Sequence, residues 1–134
     1  MTKAIRAGEY FSSVEQIVSG LRELLQSSPY SPELKSTVKK LRSQLKRYFA
    51  LKHDGTYLAE VLDLFPNWHR KVQYLEDHCR ELVVDIHLIH NMLTNAEKEA
   101  HNHLSVWLVR FDKYRVKEGS LIQDAYLTDL GVDH

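Results

Sequence analysis

Apolar residues recur along this chain at steps of three and four over four long stretches, the spacing that gathers them on one face of an α-helix. The first stretch carries Tyr10, Val14, Ile17, Leu21 and Leu24 and predicts a helix over about 7–27. SSPYSP then interrupts the pattern. Ser31 is placed to cap the next helix, with Pro32 at its first position and Glu33 in its first turn, where the helix dipole favours an acid. A second stripe, Leu34, Val38, Leu41, Leu45, Tyr48 and Lys52, predicts a helix over 32–53. HDGT breaks it, and a short apolar extension covers 57–65. The third stripe runs from Trp68 through Val72, Leu75, Cys79, Leu82, Ile86 and Ile89 to Leu93 and predicts a helix over 66–94. The fourth runs from Leu104 through Trp107, Leu108, Phe111, Tyr114, Glu118 and Leu121 to Ala125 and predicts a helix over 96–128, with Thr94 or Asn95 as its cap and 129–134 as a tail.

Four amphipathic helices joined by short turns pack as neighbours, so the expected fold is all-α, an up-down-up-down antiparallel four-helix bundle in one domain over 1–134. Only five glycines and three prolines occur, too little punctuation for many short strands.

The inward stripes are not purely apolar. In an antiparallel hairpin, residues equally far from the turn share a height, because the rise per residue is constant. With turns near residues 31, 63 and 96, His78 reflects onto Tyr114 and onto Tyr48, and Tyr48 reflects onto Val14. One helical turn further, the same construction groups Lys52, Tyr74, Glu118 and Tyr10. His78 stands one position beside its seam, still able to face inward. Burying such groups costs several kcal/mol for a charge unless it is paired. Lys52 and Glu118 carry opposite charge and would satisfy each other as an internal pair ringed by phenolic hydroxyls and the His78 imidazole. The competing arrangement is a snorkelling lysine and a solvated acid.

These residues carry a resemblance. YFALKHDGTYL (Tyr48 to Leu58), LEDHCREL (Leu75 to Leu82) and EGSLIQDAYLTDLGVD (Glu118 to Asp133) are similar to helix motifs of the hemerythrin-like, or HHE cation-binding, domains of bacterial type. The resemblance covers roughly 10–133 and implies a four-helix bundle around a non-haem di-iron, oxygen-binding centre. It also implies where the ligands should stand. The second-helix His and Glu positions hold Tyr48 and Lys52, the fourth-helix His position holds Tyr114, and no histidine precedes His53. His78 and Glu118 keep ligand chemistry, and Tyr74 stands four residues before His78. The resemblance therefore implies a degenerate, metal-free centre with a non-catalytic binding or regulatory role. The alternative is a single iron held by His78, Glu118 and the tyrosines Tyr48, Tyr74 and Tyr114, since tyrosinate is an iron ligand.

Composition changes this picture little. Eighteen basic and eighteen acidic residues give no net charge, which argues against nucleic acid or anionic membrane as a partner and leaves a protein or small ligand. MTKAIRAGEYFSS has no apolar signal core, and no apolar run approaches the roughly 20 residues of a membrane span. The single cysteine, Cys79, excludes an internal disulfide and reads as a small core hydrophobe in a reducing, cytoplasmic setting. Lys35, Lys39, Arg42 and Lys46, with Lys40 and Arg47 beside them, form a basic stripe that reads as a solvated helix face, with phosphate contact in an interaction module as the sharper alternative. His87, His90, His101 and His103 gather near one turn and read as a solvated helix end, with zinc as the sharper alternative. With no phosphate loop, nucleophile elbow or paired catalytic carboxylates, no enzymatic activity is expected.

Overall fold

The computed structural model describes residues 2–53, 61–63 and 65–129, with side chains described for 11–50, 61–63 and 65–125. The described residues are all helical, without a strand, and pack as a helical bundle. Helix α1 spans Thr2–Ser27, α2 Pro32–His53, α3 His69–Asn95 and α4 Glu97–Asp129, with a 3₁₀ turn at Pro66–Trp68 leading into α3. The expected extension over 57–65 lies largely outside the described residues, and of it 61–63 are helical.

The turns follow from local chemistry. After α1, the backbone N–H of Ser28 still reaches the Leu24 carbonyl at 2.8 Å. Ser31 donates its hydroxyl back to the Ser28 carbonyl at 2.8 Å, tying the turn. Pro32 opens α2 and Glu33 lies in its first turn. Between α3 and α4 the junction is Ala96, whose N–H bonds the Met92 carbonyl and whose carbonyl accepts from Ala100. Asn95, expected as a cap, is instead the last residue of α3, and the Thr94 hydroxyl is used by Lys35.

The apolar stripes form the core. Leu34, Val38, Leu41, Leu45 and Tyr48 of α2 are buried, as are Val72, Leu75, Cys79, Leu82, Ile86, Ile89 and Leu93 of α3. On α4 the stripe from Ala100 to Ala125 is buried, including Glu118. On α1, Val14, Val18 and Leu21 are buried while Ile17 and Leu24 pack at the margin. Helix α2 lies between α1 and α3, and α3 between α2 and α4. Partners run in opposite order along neighbours: Lys35 meets Thr94, Arg42 meets His87 and His90, and Phe49 meets Arg80. The α1–α4 seam is spanned by long side chains, through Arg22–Asp112 at 2.7 Å and Arg115–Glu15 at 3.2 Å.

Among the described residues, no helix is long and apolar enough to cross a membrane.

Candidate functional site

The spacing of Tyr48 on α2 and of Tyr114 and Glu118 on α4 puts all three on the inward faces of their helices. Tyr114 and Glu118 are one helical turn apart, so they stack on the same side of α4. Glu118 is the buried charged residue of the core, only 3% exposed. The Tyr48 hydroxyl donates to its Oε1 and the Tyr114 hydroxyl to its Oε2. Both carboxylate oxygens thus act as acceptors toward phenolic donors, the pattern that makes a buried carboxylate tolerable. A hydrogen bond to a charged group contributes about 1.5–3 kcal/mol net, enough for two to offset much of the desolvation.

Aromatic packing surrounds the Tyr48 phenol. Phe11 lies 5.1 Å from the Tyr48 ring and 6.1 Å from Phe111, and Trp107 stacks on Phe111 at 5.4 Å. The Trp107 indole N–H donates to the Leu82 carbonyl at 2.9 Å, pinning α4 against α3 below the polar layer.

His78 sits beside this cluster. Its ring meets Tyr114 edge-on at 5.5 Å, and its Nδ1 is buried without a hydrogen-bond partner. Burial, then the Arg110 charge, holds its pKa below the ordinary imidazole value of 6.5; Glu81 opposes them and Lys117 adds to them. The imidazole is therefore neutral at neutral pH. Tyr74, which the resemblance places near the centre, is 53% exposed; its ring meets His78 edge-on at 6.1 Å and its hydroxyl accepts from Lys117 at 2.7 Å. The side chain of Lys52 lies outside the described residues.

The structure thus unites Tyr48, Tyr114 and Glu118, sets His78 alongside, and leaves Tyr74 outside. A di-iron centre needs several imidazoles and carboxylates converging on one point. Among the described residues, no three His, Cys, Asp or Glu side chains come together to hold an ion. The described residues do not supply the ligand set of a di-iron group. The histidines near the α3–α4 turn divide as well. His87 and His90 contact Arg42, His101 packs on Tyr30 with ring centroids 5.0 Å apart, and His103 lines a groove with Leu88, Met92 and Val106. The contact of Arg42 with two imidazoles was not legible in the sequence, because it depends on the rotation of α3 against α2.

No known protein family, curated protein or solved structure matches this chain.

Proposed function

We propose that this chain is a divergent hemerythrin-like domain, an up-down-up-down four-helix bundle whose centre has been rewritten from metal ligation into hydrogen bonding. Its role is non-catalytic, a binding or regulatory module. The observation that carries this reading is the pair of phenols donating to both oxygens of the buried Glu118. A carboxylate that once neutralised a cation is held here by two O–H donors, so Glu118 is satisfied by protein groups. The opposite order of contacts along neighbouring helices supports the topology, and the quoted helix motifs support the family. Lys52 is assigned the charge-balancing part, on sequence grounds.

Elemental analysis of protein purified without chelator tests the proposal. The expected result is metal far below one equivalent per chain, with a melting temperature unmoved by added iron. Two irons per chain, or a melting temperature that climbs with iron, would overturn it, because a ligand bound only by the native state must stabilise it.

A second reading has its own observation, the buried and unpartnered Nδ1 of His78 edge-on to Tyr114. A single ferric ion held by His78, Glu118 and one or both of Tyr48 and Tyr114 would draw on that nitrogen. Tyrosinate bound to ferric iron absorbs visible light, so colour after iron loading, abolished by Tyr114→Phe, supports this reading. Protein that stays colourless rejects it.

A further inference from the structure

Zero net charge conceals a strong segregation. Helix α2 carries seven Lys and Arg against the single acid Glu33, which leaves eleven basic against seventeen acidic residues in the rest of the chain. The ion pairs of the described residues use Arg22, Arg80, Arg110 and Arg115, all on other helices. None of Lys35, Lys39, Lys40, Arg42, Lys46 and Arg47 reaches a carboxylate.

The contacts these cations do make are with a hydroxyl and two imidazole nitrogens on α3. Lys35 Nζ donates to Thr94 Oγ1 at 2.7 Å. One terminal nitrogen of Arg42 lies 3.2 Å from His87 Nδ1 and 3.4 Å from His90 Nδ1. Two imidazole acceptors thus orient the guanidinium and leave its other N–H donors for a ligand. The charges that act on His90 from this side are cationic. Burial first, then Arg42, Lys35, Lys39 and His87, all lower the pKa of His90.

The shape selects the ligand. Lys35, Lys39, Arg42 and Lys46 follow one another at helical spacing along a row of about 16 Å. A compact anion would occupy two or three of these; a row suits a linear polyanion. No exposed large hydrophobic among the described residues lies on α2. The α2 row therefore lacks the apolar side chains that would enter a membrane and the aromatic platforms on which single-stranded bases stack, while Val84 and Leu88 are exposed on α3 beside it. What remains is contact with regularly spaced backbone charges.

We propose that the α2–α3 face, built on Lys35, Lys39, Arg42 and Lys46, binds the phosphate backbone of double-stranded nucleic acid without reading its sequence. The proposal departs from the argument from net charge, because a partner meets the local field of a face and not the sum over the molecule.

The test is fluorescence anisotropy with a labelled DNA duplex of arbitrary sequence across a salt series. Four phosphate contacts give a slope of log K against log salt of about −4, so affinity should fall about 10²-fold between 50 and 200 mM salt. The double variant Lys39→Gln and Lys46→Gln should reduce that slope by about 2. Reversing the same charges, Lys39→Glu and Lys46→Glu, should weaken binding at least about tenfold, while Lys113→Glu on α4 changes it less than about twofold. Polyglutamate and phosphatidylserine vesicles should bind at least about tenfold more weakly than the duplex. The proposal fails if the duplex does not bind at low salt, if the slope survives the glutamine pair, or if polyglutamate or the vesicles bind as well as the duplex.

Discussion

Two layers of one core are held in different ways. Around Trp107, with Leu82, Ile86, Leu104 and Phe111, contacts are apolar and the one polar atom, the indole N–H, is answered by a backbone carbonyl. A few turns along, Glu118 is held by Tyr48 and Tyr114. The first layer gains from area removed from water and from close packing, so removing atoms costs in proportion to the cavity left behind. The second gains from mutual satisfaction, so its members are worth much together and leave a penalty when one is removed alone. The difference shows why a polar layer persists in a fold that did not need one for stability. Buried polar groups fix which residues face one another, and an interior tuned only for stability would be apolar.

The largest effect should come from the apolar layer. Trp107→Ala should destabilise the protein by about 3–5 kcal/mol in denaturant melts. A loss under about 1 kcal/mol would show that this layer is loosely packed and collapse the contrast. Tyr48→Phe should come next, at about 1–3 kcal/mol, because the hydrogen bond from the Tyr48 hydroxyl to the buried Glu118 carboxylate is lost. Replacing the phenol–carboxylate cluster at once, with Tyr48→Phe, Tyr114→Phe and Glu118→Leu, should return part of that loss, since the cluster then leaves none of its own members unpaired. If the combined variant falls as far as the sum of its parts, the layer is not a mutually satisfied unit and the comparison breaks.

The polar layer should also respond to acid. Burial and the Arg110 charge lower the His78 pKa in the folded protein, so the unfolded chain takes up its proton first as pH falls below 6.5. The folded state's advantage is whole above that value and is lost as pH drops through the lower folded pKa. His90 acts in the same direction. The melting temperature should therefore decline on acidification through this window, and His78→Gln should flatten part of the decline. A profile that rises toward acid would contradict the assignment of a neutral His78.

The smallest effect belongs to the α1–α4 seam. Arg22 and Asp112 are each about two-fifths exposed. Arg22→Ala should cost well under about 1 kcal/mol, as double-mutant cycles on exposed pairs do. A larger loss would mean that the seam is held by its ion pairs and not by the core behind it.

Much of this was readable from the residues. The stripes on α2, α3 and α4 are the buried faces, because a period near 3.6 leaves a helix one way to hide its apolar side chains. Reflection through the turns brought Tyr48 and Tyr114 to one height, since rise per residue is fixed. The same construction grouped Glu118 with Lys52 and Tyr74 one turn away. Tyr74 does lie at the height of Glu118, beside Lys117, but height says nothing of rotation. Tyr74 lies one position before the Leu75 seam, and on α3 that offset turns it outward to Lys117. His78 lies one position before the Cys79 seam, yet Tyr114 and the neighbouring helix cover it in part.

The sequence by itself determined the helices, their buried faces and the presence of tyrosine and glutamate in one stretch of the interior, since these depend on local periodicity and on the cost of leaving apolar surface in water. Only the tertiary structure decided that Glu118 accepts from both phenols, that the His78 nitrogen is buried without a partner, and that Arg42 rests on two imidazoles. Each of these depends on the rotation of one helix against another, set by side-chain packing between distant stretches of chain, and no local pattern encodes that angle.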